Sequence, residues 1–342
     1  ANTRFFVTIH NAGEGYRQQF NSLLEAYFLT GLPMPMLQTG VMNGHVEPFL
    51  VASVYATLST VSPWYAQELL NPEDTYTGGL AQAFVEKHIT IKGITNGIDL
   101  ERYSPFDKTK SLLPYAFNPK EAKLRGKYLC RSWFIKHLGN KLNIPELEYY
   151  GFITHKPKNV YFSYHGRIVQ QKGLDVLADA AEIVLQKNQD VCFIVIGQGD
   201  SSLEDRHKIL AEKYQGRYVF ICGYERSFAR LCVAVADFLV LPSFFEPCGL
   251  EDFIGQIFGT IPVAHATGGL KKIIHGKTGF LYENNTKENL ADILLELVVK
   301  RQKFPSEFIS IIEFAANYVE NEYTWSRVIE QQYLPMYLGN NI

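Results

Sequence analysis

The stretch VYFSYHGRIVQQKGLDVLADAAEIVLQKNQDVCFIVIGQGD, residues 160–200, decides the fold. Val160 to Tyr164 has the aromatic and β-branched make-up of a strand. Leu174 to Gln186 then places Leu174, Leu177, Ala178, Ala181, Val184 and Leu185 on one helical stripe. Val191 to Ile196 is apolar at every position, as in a strand buried on both faces. A strand, a helix and a second buried strand in this order predict a βαβ unit in a parallel sheet.

The pattern continues toward the C-terminus. Helices are predicted near Ser202 to Tyr214, Ser227 to Val235 and Glu251 to Phe258. Strands are predicted at Tyr218 to Cys222, Phe238 to Pro242 and Ile261 to Ala264, with a last βα stretch from Gly279. Residues 158–320 therefore read as a doubly wound domain. Upstream, Phe5 to Ile9, Val54 to Val61 and His88 to Ile94 read as strands, and Arg17 to Thr30, Pro63 to Leu70 and Lys120 to His137 as helices. These are too few strands for a whole domain, so residues 1–157 are expected to be a partial one. The polar segment Asn140 to Pro157, with Pro145 and Pro157, is read as the linker, and residues 321–342 as a terminal helix from Trp325.

Composition narrows the function. The chain has 342 residues, 46% hydrophobic and 20% charged, with 33 basic and 35 acidic side chains and a net charge of -2. That is globular composition with no broad pull toward nucleic acid or anionic lipid. Cys130, Cys192, Cys222, Cys232 and Cys248 are scattered without a C-x-x-C pair, which argues against a disulfide framework or a zinc site and for a reducing compartment. No run of eighteen apolar residues suits a membrane span.

Arg167 and Lys172 stand five residues apart between a strand and a helix, where a planar fork and a movable ammonium suit a leaving diphosphate. The same two residues also suit a solvated basic helix start. Glu246-Pro247-Cys248-Gly249-Leu250 follows a strand and precedes a helix, so its carboxylate can grip sugar hydroxyls, or the loop can simply cap that helix. Thr267-Gly268-Gly269-Leu270 is a second glycine-rich strand-to-helix turn suited to phosphate. Tyr224 follows a strand and is placed to stack on a base or to pack. His10-Asn11 and Asn96-Gly97-Ile98-Asp99 add polar groups after two earlier strands. No D-x-D, metal-ligand cluster or Walker sequence is present, so the chemistry is expected to need neither metal nor cofactor.

Taken in order, Thr8 to Asn11, Val61-Ser62-Pro63, Thr95 to Asp99, Arg167 with Gln171-Lys172-Gly173, Gly223-Tyr224, Pro242 to Leu250 and Thr267 to Leu270 resemble the glycogen and starch synthases. The resemblance implies a GT-B fold of two Rossmann-like domains facing a cleft, the N-terminal one incomplete because the family's Lys-x-Gly-Gly-Leu signature is absent. It implies a retaining, metal-independent glucosyltransferase that moves glucose from ADP-glucose to the non-reducing end of an α-1,4-glucan. The donor and the glucan would be its partners, without nucleic acid or membrane, in the cytoplasm or, in a plant, the plastid. Glu246, Arg167, Lys172 and His10 would be catalytic. Asn96, Tyr224, Cys248, Gly249, Leu250, Thr267, Gly268 and Gly269 would bind the donor, and the terminal helix would cross back to the N-terminal domain. Other readings are a GT-B transferase using UDP-glucose and a non-catalytic homologue that binds glucan or a partner.

Two positions refine that picture. Ile254 stands where a wider class of retaining GT-B enzymes carries a second glutamate, which favours the synthases. Glu251-Asp252 replaces the family's usual Thr-Gln, and two acids at that helix start are expected to oppose a neighbouring diphosphate.

Overall fold

The computed structural model describes residues 3–139 and 144–339. The chain forms two compact units, one of Ala1–Asn96, Phe245–Cys248 and Val328–Ile342, the other of Gly97–Phe244 and Gly249–Arg327. The first division falls at Asn96/Gly97 rather than at residue 157. The segment read as a linker explains the difference. Its residues 140–143 lie outside the described ones, but Leu147–Ile153 is a strand hydrogen-bonded along its whole length into the sheet of the second unit.

The first unit holds three parallel strands, β1 (Phe5–Ile9), β4 (Ala56–Thr60) and β5 (Ile91–Gly93), in the order β1-β4-β5, and a short antiparallel pair, β2 (Val41–Met42) and β3 (His45–Val46). The strand expected from Val54 begins only at Ala56, because Pro48–Tyr55 is a helix with proline at its start. The helix expected from Arg17 begins at Leu23, where Ser22 caps it by accepting a hydrogen bond from the Glu25 amide. Around this sheet Ile9, Leu58, Tyr65, Phe84 and Phe245 form the core. The C-terminal segment runs Trp325–Val328, a π-helical turn Ile329–Tyr333, and Leu334–Leu338. Within it Val328 and Met336 pack with Ile94 and Phe6 of the same unit.

The second unit is a seven-stranded sheet of β6 (Leu147–Ile153), β7 (Val160–His165), β8 (Val191–Gly197), β9 (Arg217–Gly223), β10 (Phe238–Leu241), β11 (Ile261–His265) and β12 (Phe280–Tyr282). Its order is β12-β11-β10-β7-β8-β9-β6, parallel except for β6. Side chains alternate across it. Val160, Phe162, Phe193, Val195, Phe220 and Val240 face one apolar layer, and Tyr161, Ile194, Ile196, Val219, Ile221 and Leu239 the other. Burial on both faces explains why these strands read as unbroken apolar runs, each large side chain contributing roughly 1.5–3 kcal/mol.

Helices 174–187, 201–213, 226–235 and 251–257 cross between the strands, and 287–303 follows the last strand; Pro305–Glu322 adds a further helix not anticipated from the sequence. Lys127, wholly buried on the helix Arg125–Gly139, donates to Ala234 O, Phe258 O and Thr260 Oγ1 and so ties two helix ends together. Burial holds its ammonium well below the ordinary lysine pKa.

In β6, Gly151 sits at φ +73°, and a Cβ there would lie 2.5 Å from Tyr218 O. Only glycine allows this residue to stay paired while leaving the extended region.

Candidate functional site

Strand order reverses between β7 and β10, so the chain leaves their carboxyl ends in opposite directions and opens a crevice between them. After β7 the loop carries Arg167, exposed, and Lys172, half-buried at the end of a 3-10 turn. This loop is fixed to its surroundings. Tyr164 Oη donates to Arg167 O at 2.7 Å, and the Phe244 amide donates to Gln171 O at 2.9 Å. Gly173, at φ +68°, passes so close to β10 that a Cβ would lie 1.9 Å from Pro242 O. The two cations thus stand at the switch point, where ligands of open α/β sheets bind.

His165, the last residue of β7, was not singled out from the sequence. Its Nδ1 lies 2.8 Å from Glu251 Oε2, at the start of the helix Glu251–Ile257. Burial works against charge on both groups. Their mutual attraction outweighs it, holding the imidazole above its ordinary 6.5 and, with help from Lys172, the carboxyl below its ordinary 4.5.

The pair of acids expected to oppose a diphosphate therefore splits. Glu251 does border the crevice, where it pairs with His165. Asp252 turns inward and forms a buried ion pair with Lys272, 2.9 Å long. Lys272 also donates to Gly249 O at 2.6 Å and Gly269 O at 3.1 Å, so one ammonium joins the two glycine-containing turns. Thr267 Oγ1 donates to Phe244 O at 3.2 Å, which orients the Thr267-Gly268-Gly269 turn from its other side. Tyr224 is 57% exposed beyond β9, and Leu250 is 40% exposed.

In the first unit the candidate residues follow the carboxyl ends of the parallel strands. His10 is exposed directly after β1. Ser62, after β4, caps the helix Pro63–Glu68 by accepting from the Tyr65 amide and donates to Pro247 O at 2.7 Å. Phe245 is buried in an edge-on contact with Tyr65 (ring centroids 5.3 Å apart) and stacked on Tyr76 (5.5 Å), so half-buried Glu246 stands between two anchored neighbours. Cys248 is buried in the same apolar cluster as Ile9 and Tyr65. Asn96 Oδ1 is buried with no hydrogen-bond partner among the described residues, an acceptor still to be satisfied.

The predicted residues thus divide. Arg167, Lys172, Tyr224, Gly249, Leu250, Thr267, Gly268 and Gly269 belong to the second unit, and His10, Asn96, Glu246 and Cys248 to the first. Among the described residues no group of three His, Cys, Asp or Glu side chains is placed to hold a metal, and no helix is long and apolar enough to cross a membrane.

Residues 159–300, which hold the switch-point crevice, match the family Glycosyl transferases group 1. The fold is GT-B. The chain superposes with a TM-score of 0.76 and 23% identity, over 96% of its own length and 67% of the other, on the catalytic domain of Starch Synthase IV from Arabidopsis thaliana bound to ADP and acarbose. With Anabaena Alr3699/HepE in complex with UDP-glucose the TM-score is 0.60 at 16% identity, over 98% of this chain and 72% of that one. By fold, and by family match over residues 159–300, the chain is thus similar to the group 1 glycosyl transferases.

Within that class the chain is similar to the glycogen synthases. It is 30% identical to the glycogen synthase of Aeromonas hydrophila, over 98% of this chain and 65% of that protein. It is likewise 30% identical to that of Kosmotoga olearia, over 97% and 65%, and 28% identical to that of Photobacterium profundum, over 99% and 63%. The chain spans under two thirds of the length of these curated relatives.

Proposed function

We propose that this chain carries donor-site machinery of a retaining glucosyltransferase that moves glucose from ADP-glucose to the non-reducing end of an α-1,4-glucan. The observation that carries the reading is the placement of Arg167 and Lys172 at the β7/β10 switch point, on a loop fixed to the end of β10. As the bond from the anomeric carbon to the diphosphate breaks, both cations take up the charge developing on the leaving oxygens. The acceptor hydroxyl forms the new bond on the same face and passes its proton to the departing diphosphate. Glu246, Asn96 and His10 hold the sugar, and the unsatisfied Oδ1 of Asn96 supports that role because a sugar hydroxyl would complete it. Tyr224, open to solvent, offers a ring to the base, and the turns at Gly249-Leu250 and Thr267 to Gly269 offer backbone donors to the phosphates.

The choice of ADP-glucose over UDP-glucose is supported by the ADP-bound starch synthase of like fold. The test is glucosyl transfer from labelled ADP-glucose to glycogen by the natural full chain, with UDP-glucose in competition. Arg167→Ala and Lys172→Ala each lower turnover by roughly 10²-fold or more, the size of a lost transition-state stabiliser. Normal transfer by both variants would remove the diphosphate site, and faster transfer from UDP-glucose would change the donor.

A further inference from the structure

We infer that His165 is the counter-charge that lets Glu251 stand at the phosphate end of the crevice, so that protonation of this one histidine sets the affinity for a nucleoside diphosphate. The inference rests on the donor reading above.

The geometry supplies the argument. Glu251 opens its helix within reach of Lys172, at a position where an anionic ligand would meet it. Its carboxylate is 2.8 Å from His165 Nδ1. Lys172, on the 3-10 turn, also stabilises the carboxylate, so Glu251 and an incoming phosphate draw on the same ammonium. Arg167 lies on the same loop. The adjacent acid, Asp252, is committed to Lys272 in the interior and adds no charge to the crevice. With His165 protonated, the His165–Glu251 pair is neutral and adds no net charge to the phosphate end of the crevice. With His165 neutral, the Glu251 carboxylate repels the ligand directly.

The sign follows from the two titrations. Glu251 stays ionised above its ordinary 4.5 because its own pKa is lowered. His165 is raised, so its charge is fully present below 6.5 and is lost as pH climbs through a higher value. Affinity for ADP is therefore highest near the acid side of neutrality and falls toward alkaline pH. For one partly screened charge at close range the fall is about tenfold.

The experiment is titration calorimetry of ADP into the natural full chain at about pH 6.5 and about pH 9, the span over which a raised histidine discharges. It compares wild type, Glu251→Gln, His165→Asn and the double variant. The last phosphate ionisation of ADP is common to all four and cancels. Wild type loses about tenfold in affinity across the range, Glu251→Gln stays tight and flat, and His165→Asn stays weak and flat. The double variant returns to within about threefold of Glu251→Gln, which a merely misfolded His165→Asn would not allow. If Glu251→Gln keeps the wild-type slope, or His165→Asn binds as tightly as wild type at the acid end, the pair does not set affinity. No binding of ADP by wild type at either pH overturns the donor reading itself and the inference with it.

Discussion

Lys272 and Asp252 form an ion pair 2.9 Å long in which both side chains are almost wholly buried, at 1% and 0% exposure. The ammonium also lies 4.5 Å from the centre of the Phe253 ring and holds the carbonyls of Gly249 and Gly269. One side chain thus fixes two turns of the crevice at once.

Lys272→Met is expected to strand the Asp252 charge and release both carbonyls, costing roughly 3–5 kcal/mol. Adding Asp252→Leu removes the stranded charge and recovers a large part of that loss. Urea unfolding of the two variants measures it; an equal loss in single and double variants would show that the carbonyl contacts, not the charge, dominate.

Gly173→Ala meets Pro242 O at a distance no Cβ tolerates and must hold φ +68°. The loop has to leave the end of β10, carrying Lys172 with it. A loss of more than about 2 kcal/mol in stability is expected, together with weaker ADP binding, measured by thermal melting and calorimetry on one preparation.

Phe245→Ala empties a site in the first unit between Tyr65 and Tyr76 and costs about 3–5 kcal/mol. Glu246 loses the neighbour that positions it, so glucosyl transfer falls. ADP affinity, which the proposed function assigns to Arg167 and Lys172, stays within about threefold. Parallel fall of both readouts would mean that Phe245 serves the whole chain and not its own loop.

Asp237 is buried, pairs with Arg131 at 3.0 Å and Arg301 at 3.4 Å, and accepts from the Tyr161 amide at 3.0 Å. Burial alone would raise its pKa, but the two guanidiniums outweigh burial and hold it below the ordinary 3.8. Its contribution to stability is therefore complete above 3.8 and lost as pH falls through the lower folded value. Asp237→Asn costs about 3 kcal/mol at neutral pH, and the difference from wild type narrows in acid, as denaturant midpoints at pH 7 and pH 3 will report.

What was legible in the sequence depended on how local its cause was. The strands from Val160 to Ile196 could be read because burial on both faces leaves an apolar run with no exposed positions. Arg167 and Lys172 could be placed on one loop because they stand only five positions apart. β6 was missed because it is a half-exposed edge strand, LEYYGFI, whose partner in β9 is some seventy residues away. The same distance hid His165: its meaning comes from Glu251, 86 positions later. Asp252 was misjudged for the opposite reason. Its place at a helix start suggests exposure, and only the buried ammonium of Lys272 turns it inward.

Gly151 has a consequence for behaviour in concentrated solution. The large sheet ends on one side in β12, three residues long, and on the other in β6, whose pleat is broken at its centre by a left-handed residue. Neither margin offers a long regular row of amides and carbonyls to another copy. The sheet is thereby guarded against the edge-to-edge stacking that turns a stable parallel core into an aggregate.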